Sequence, residues 1–234
     1  MPTTNQLKKL IVLTGAGISA ESGIKTFRDS DGLWEEYDIM EVAHINGWKK
    51  HPQLVLEFYN KRRKQIKAAQ PNTAHIGLVD LEKEWDVHII TQNIDDLQER
   101  AGSKQVMHLH GEIVKMRSEK NEELIVPATD EIVLGQTASD GAQFRPHIVW
   151  FGEQVPMIPY AIQLVEQAAV LVIIGTSLQV YPAASLFEYA PPGIPVIIID
   201  KQIPTNEALA ASIAIEQSAG IGVKMLKEKL QQYL

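Results

Sequence analysis

Hydrophobic positions in this 234-residue chain gather into short unbroken runs. Four are rich in β-branched residues: Leu10 to Thr14, Val87 to Thr91, Val170 to Gly175 and Pro195 to Asp200. A strand that is apolar along its whole length has both faces covered, so these runs predict a parallel sheet between helices. Helical periodicity follows some of them, as in Tyr160 to Ala168 and in the closing segment Gly222 to Leu234, whose leucines recur at 226, 230 and 234. Two stretches break the alternation. Residues 35–70 read as helical and residues 116–145 as polar and turn-rich, and both predict insertions that build a small second module. The expected organisation is one domain over 1–234, with its sheet part near 1–34, 71–115 and 146–234.

In open parallel sheets, ligands lie beyond the carboxyl ends of the strands, so the residues after each apolar run carry the chemistry. The first run opens onto Gly15-Ala16-Gly17-Ile18-Ser19-Ala20. This reads as a phosphate cradle at a helix start: Gly15 for a tight turn, Gly17 for close backbone approach to a pyrophosphate, Ala20 as a third small residue. The carboxylates about 20 residues on, Glu35 and Glu36, follow no apolar run, which disfavours a hydride-transfer enzyme. The polar, glycine-punctuated segment from Glu21 to Trp34 predicts a loop over a ligand instead. The second run ends in Gln92-Asn93-Ile94-Asp95, the third in Gly175-Thr176-Ser177 and the last in Asp200, a carboxylate able to accept from ribose hydroxyls. Asn93 and Asp95 taken singly fit helix N-caps equally well. His108 and His110 share one face if extended, but metal ligation needs more partners than two imidazoles. His110, followed by glycine at a strand end, is the general-base candidate.

A net charge of -7 argues against a large nucleic-acid surface, and Lys61-Arg62-Arg63-Lys64 reads as a solvated helix face. No segment has the order of a signal peptide, and no apolar run approaches the roughly 18 residues of a membrane helix, so a cytoplasmic protein is expected. Cysteine is absent, which excludes disulfides, thiolate nucleophiles and cysteine-ligated zinc.

Read together, Gly15-Ala16-Gly17-Ile18-Ser19, Thr26-Phe27-Arg28, Gln92-Asn93-Ile94-Asp95, His110-Gly111, Phe151-Gly152-Glu153 and Gly175-Thr176-Ser177 resemble the sirtuins, NAD-dependent protein lysine deacylases, in order and spacing. The resemblance spans nearly the whole chain. It implies an α/β fold, a Rossmann-like parallel sheet with a smaller module built from two insertions. It also implies NAD as cofactor and acyl-lysine proteins as partners, with no nucleic acid and no membrane. The implied reaction consumes NAD: the acyl oxygen of a modified lysine displaces nicotinamide, and free lysine and O-acyl-ADP-ribose leave.

By the same resemblance, Asn93 and Asp95 hold the nicotinamide end and its ribose, and neutral His110 takes a proton from a ribose hydroxyl. The remaining cofactor contacts it implies are Gly15, Ala16, Gly17, Ser19 and Ala20 in the cradle, and Phe27, Arg28 and Trp34 in the covering loop. Gln92 and Ile94 join them beside the catalytic pair, Gly175, Thr176 and Ser177 after the third run, and Asp200, Lys201 and Ala219 toward the adenosine. Val149, Phe151, Gly152 and Glu153 look like the segment that pairs with an extended substrate peptide. Tyr59 and Arg62, three apart on one helical face, resemble the pair with which class III sirtuins prefer succinyl and malonyl over acetyl lysine. Ala43 matches the small residue that leaves room for the longer acyl group.

The sequence departs from the family at two points. Sirtuins usually carry cysteines around a structural zinc; here Ser118 stands where a first ligand is expected, and no zinc is expected. Residues 118–143 then have to cohere through apolar contacts of Leu124, Ile125, Val126, Ile132, Val133 and Leu134. Asp200 replaces the asparagine of many sirtuins; it accepts the same ribose bonds and repels a 2'-phosphate, favouring NAD over NADP. Two other readings stay open: an NAD glycohydrolase or ADP-ribosyltransferase, and a non-catalytic NAD or ADP-ribose sensor.

Overall fold

The computed structural model describes residues 7–25 and 37–234; Thr26, Phe27, Arg28, Trp34, Glu35 and Glu36 lie outside them. The described strands are β1 (Lys9–Thr14), β2 (Asp86–Thr91), β3 (Val106–His108), β4 (Gly111–Ser118), β5 (Ile125–Pro127), β6 (Phe144–Ile148), β7 (Val170–Ile174), β8 (Val196–Asp200) and β9 (Ile213–Glu216). The helices are α1 (Ile39–Val42), α2 (Ile45–Lys50), α3 (Pro52–Ala68), α4 (Thr73–Leu81), α5 (Leu97–Ala101), α6 (Ile158–Val165) and α7 (Ala219–Leu230).

Six strands form one sheet in the order β3-β2-β1-β7-β8-β9. Every pairing in it is parallel. Side chains of β1 alternate between two cores, as the pleat requires. Leu10 and Val12 join Leu78, Val223, Leu226 and Leu230 beneath α4 and α7, while Ile11 and Leu13 join Ala161, Val165, Leu186 and Phe187 beneath α6 and the 3-10 segment Ala183–Tyr189. Each such branched side chain, fully buried, is worth about 1.5–3 kcal/mol, which is why continuous apolar runs specify this two-sided sheet. The closing helix starts earlier and stops sooner than its leucines indicate: α7 ends at Leu230, and Leu234 is 52% exposed beyond it.

A third core belongs to the smaller module, where α1, α2 and α3 pack on an antiparallel sheet ordered β5-β4-β6. Pro52 opens α3, where its missing N–H is no loss. The polar stretch 116–145 thus contains paired strands as well as turns. Its expected apolar cohesion is not found: Ile132 is buried, but Ile125, Val126, Val133 and Leu134 are exposed. Hydrogen bonds hold it instead. Buried Ser118 donates to Asp140 Oδ2 at 2.6 Å and accepts from the amides of Lys120 and Asn121. Asn60 of α3 exchanges two bonds with the backbone of Ile132.

The basic run on α3 is a solvated face only in part, at exposed Lys61 and Lys64. Arg62 and Arg63 are 8% and 3% exposed, because the helix turns that edge toward the module core. Arg63 donates to the carbonyl of Ile113 and to Asn60 Oδ1, both at 2.8 Å, and burial lowers its pKa to about 10. Among the described residues no helix is long and apolar enough to cross a membrane.

Candidate active site

Strand order reverses across β1, which lies between β2 and β7, and a crevice opens at the carboxyl ends of β1 and β7. Three glycines meet there. A Cβ on Gly15 would stand 2.7 Å from the carbonyl oxygen of Gly175, one on Gly17 2.6 Å from its Cα, and one on Gly175 2.5 Å from the amide of Ile18. Gly175 also has φ +61°, a conformation that L side chains rarely adopt. This revises the sequence reading: Gly15 is extended (φ -125°, ψ -170°) rather than in a tight turn, and both cradle glycines are required by contact with a second strand end.

Among the described residues, no α-helix directly follows Gly15 and Gly17. Residues Ala16–Ile18 and Ala20–Ser22 form two 3-10 turns, ended by Gly23 at φ 81°. Internal bonds take up most of the loop amides: Gly15 donates to Ile174, Gly17 to Gly175, Ile18 to Gly15 and Ser19 to Ala16. Helix-terminal amides therefore do not line the crevice as expected. Ala20 is exposed, not packed as a third close-approach residue.

Side chains knit the crevice together. Asn93 donates from Nδ2 to the carbonyl of Gly15 (3.1 Å) and to Ser19 Oγ (3.2 Å), and Ser19 donates to Asp95 Oδ2 (3.0 Å). Gln92 Nε2 reaches Thr176 Oγ1 at 3.0 Å, joining the ends of β2 and β7. Asp95 is buried; burial pushes its carboxyl up, against the amide of Leu97, the Ser19 hydroxyl and the charge on His108.

His110 Nδ1 lies 2.9 Å from the carbonyl of Gln92, an acceptor, so Nδ1 carries the proton and Nε2 keeps its lone pair. Burial lowers the pKa of His110, and the Gln92 carbonyl offsets this only in part. His108 reaches the same turn, with Nδ1 2.9 Å from the carbonyl of Asn93 and Nε2 2.7 Å from Glu99 Oε1. Burial opposes its charge, yet the bond to Glu99 and that carboxylate's charge raise its pKa overall. The fold shifts the two imidazoles in opposite directions, His108 upward through Glu99 and His110 downward through burial. Among the described residues no three histidine, aspartate or glutamate side chains converge as a metal site.

The small module closes one side. Ala43, Tyr59, Arg62 and Trp150 are buried, and Trp150 Nε1 donates to the Tyr59 hydroxyl at 2.9 Å. Burial holds the Tyr59 phenol far above its ordinary pKa. Burial also lowers the pKa of Arg62, against the charges of Asp95 and Tyr59. Arg62 Nη2 donates to the carbonyl of Lys25.

Of the peptide-pairing segment, Val149 donates its amide to His110, and Phe151 bonds to Ala43 and Ile45 through both backbone groups. These groups are engaged internally, so main-chain pairing at Phe151 as anticipated is already satisfied; its ring is 44% exposed. Gly152 has φ +83°, with a Cβ there 3.0 Å from His44 Nε2. Glu153 clamps Arg145 at 2.6 and 2.9 Å and accepts from the amide of Trp150, which braces the segment. Arg145 in turn lies 3.5 Å from the Trp150 ring centroid.

On the far side, Asp200 ends β8 and accepts from the amide of Gln202, Lys201 is exposed, Ser177 is half-buried, and Ala219 begins α7. Glu21 accepts from the amide of Gly220 and from Ser218, tying the cradle to that helix. Sequence reasoning missed Arg145, Trp150, Glu21, and the Asn72-His75 pair that fastens α4 to the carbonyl of Ile18. Asn72 carried a signal as an N-cap three residues before His75; the others are joined only by the fold.

A sequence profile described as the Sir2 family matches residues 15–182. A Helicobacter pylori protein named NAD-dependent protein deacylase is 54% identical over 96% of this chain and 98% of its own length. A Bacteroides thetaiotaomicron protein of the same name is 48% identical over 96% and 98%. Among solved structures, a Sir2 homologue in complex with ADP-ribose superposes with a TM-score of 0.86 at 35% identity, covering 97% of this chain and 93% of that one. A Sir2 homologue in complex with NAD gives 0.84 at 36% identity, covering 97% and 90%. This chain, with its doubly wound sheet and interlocked strand-end glycines, belongs to the Sir2 family, the sirtuins.

Proposed function

We propose that this protein, an NAD-dependent protein lysine deacylase, removes succinyl and malonyl groups in preference to acetyl groups. The observation that carries the preference is the burial of Tyr59 and Arg62 together on α3, where their charges couple, with Arg62 also within electrostatic reach of Asp95. An acyl chain ending in a carboxylate gains charge-assisted hydrogen bonds from that guanidinium and phenol; an acetyl group gains none. Buried Ala43 leaves room for the longer chain.

The crevice fits NAD by its own chemistry. Glycine backbone at both strand ends, the hydroxyls of Ser19, Thr176 and Ser177, and the Ala16 amide suit the phosphates, and the Asp200 carboxylate suits the adenosine ribose. The covering-loop residues Phe27, Arg28 and Trp34, together with Gln92, Ile94, Lys201, Ala20 and Ala219, complete the proposed cofactor set. NAD, when bound, supplies a labile glycosidic bond to nicotinamide. Asn93, fixed by Gly15 and Ser19, and Asp95, fixed by Ser19 and Leu97, hold the sugar at the nicotinamide end. His110 accepts a proton at Nε2 from a ribose hydroxyl; burial favours the neutral ring, and the Gln92 carbonyl sets the tautomer for that task. Val149, Phe151 and Gly152 present the acyl-lysine, with Glu153 bracing them through Arg145.

The test is incubation with NAD and matched succinyl-, malonyl- and acetyl-lysine peptides, following peptide mass and nicotinamide. The expected result is peptide-dependent nicotinamide release with O-acyl-ADP-ribose formed, fastest for the acidic acyl groups. Arg62→Met is expected to lower desuccinylation about tenfold or more while sparing deacetylation. Equal rates on all three peptides, or full desuccinylation by Arg62→Met, would remove the preference. Nicotinamide release without peptide would favour a glycohydrolase.

A further inference from the structure

His108 takes no part in the chemistry just described, yet it is 7% exposed at the end of β3 and wedged between two oxygens. Nδ1 faces the carbonyl of Asn93 at 2.9 Å and Nε2 faces Glu99 Oε1 at 2.7 Å. Neither oxygen can donate while Glu99 is ionised, so both ring nitrogens have to donate and the ring has to be an imidazolium. A neutral ring would set a lone pair against one of those oxygens. The carbonyl it holds belongs to Asn93, whose side chain reaches Gly15 and Ser19, and the turn continues into buried Asp95.

We propose that His108, kept as an imidazolium by Glu99, is a positioning residue that locks the Asn93–Asp95 turn and keeps Asp95 ionised beside the sugar site. The proposal rests on the deacylase reading for its effect on rate, but not for its claim about protonation. The groups facing His108 come from each element around it: Glu99 on α5, Asp95 in the turn after β2, and Glu112 on β4, itself paired with Lys115 at 2.6 Å. Three carboxylates against one half-exposed lysine favour the charged ring, in accord with the raised pKa of His108 and the lowered pKa of Glu99.

His110, two residues on, works only when neutral. Activity therefore requires a pH window in which His110 has lost its proton and His108 has kept its own. That window exists because Glu99 serves one ring and, among the described residues, no carboxylate serves the other.

Glu99 is 40% exposed on a helix surface, so Glu99→Gln spares the fold. Imidazole resonances are followed by NMR across pH in the protein without NAD or peptide, beside pH profiles of kcat and of KM for the peptide. The expected His108 midpoint lies above the ordinary value of about 6.5 and falls by about one pH unit or more in Glu99→Gln. The alkaline limb of kcat is expected to move down with it, while KM for the peptide stays put; Glu99→Asp is expected to restore part of both. A His108 midpoint at or below the ordinary value in the wild-type protein, or an alkaline limb that ignores Glu99→Gln, overturns the proposal. If no peptide is deacylated at any pH, the deacylase reading fails, and the NMR midpoint alone still decides whether His108 is held charged.

Discussion

The crevice at the ends of β1, β2 and β7 and the three-stranded module beside it solve the same problem, fixing irregular backbone, by opposite means. In the crevice, backbone packs on backbone: Gly15, Gly17 and Gly175 interlock with no room for a methyl group, and Asn93, Ser19 and Asp95 finish the joint. In the module, a serine clasp joins Ser118 and Asp140, with Asn60 and Arg63 reaching in from α3. Contact of the first kind is all-or-none, because close-packed backbone cannot yield by small steps. A hydrogen-bonded clasp is graded, since the net worth of each bond is about 1 kcal/mol. The lesson is that the interlocked glycines leave no room for a side chain, while the module beside them is held by bonds that can be lost one at a time.

Substitutions break this contrast in descending order. His110→Ala is expected to lower kcat by about 10²–10⁴-fold with NAD affinity nearly unchanged by calorimetry, because only the proton acceptor is lost. In the wild-type enzyme the acid limb of kcat should fall below the ordinary histidine range, since burial lowers the pKa of His110 and the neutral form is the working one.

Gly175→Ala is expected to cost about 3 kcal/mol or more, read from the urea midpoint, because it combines strain at positive φ with a backbone clash. A midpoint unchanged within error would refute the interlock.

His75 sharpens the same side of the comparison. It is fully buried, its Nδ1 accepts from the amide of Asn72, and burial pulls its pKa down to about 4. Its folded pKa lies below the unfolded value, so the unfolded chain binds the extra proton. The contribution is intact above about pH 6.5 and is lost as pH falls toward 4, by on the order of 3 kcal/mol. Stability measured across that range should flatten in His75→Gln.

The smallest effect belongs to the clasp. Ser118→Ala should cost about 1 kcal/mol, and a chelator should leave the midpoint of the wild-type protein where it was. A chelator that lowers the midpoint would mean that a metal, not the serine, holds the module.

Much of the sheet was legible because its strands announce themselves twice, by unbroken apolarity and by the small polar residues that follow. Leu10 to Thr14 and Val170 to Gly175 fell where the strands lie, and Gln92, Asn93, Asp95 and His110 do meet in one crevice. The antiparallel sheet was not legible. Its strands carry Lys115, Arg117, Arg145 and His147, and a polar strand next to turns has no periodicity to read. Arg62 and Arg63 were misread for a related reason: a charge run looks solvated until a neighbouring surface supplies carbonyl acceptors such as those of Lys25 and Ile113.

The sequence by itself determined the parallel sheet, the small polar residues that end its strands and, through the absence of cysteine, the lack of a thiolate-bound metal. These follow from residue type and short spacing, which act locally. Tertiary structure alone decided that the cradle glycines answer to Gly175, that Glu153 braces Arg145, and that the pKa of His108 is raised while that of His110 is lowered. Such properties depend on which atoms lie within a few ångströms across long stretches of chain, and a pKa or a steric limit has no value until those neighbours are in place.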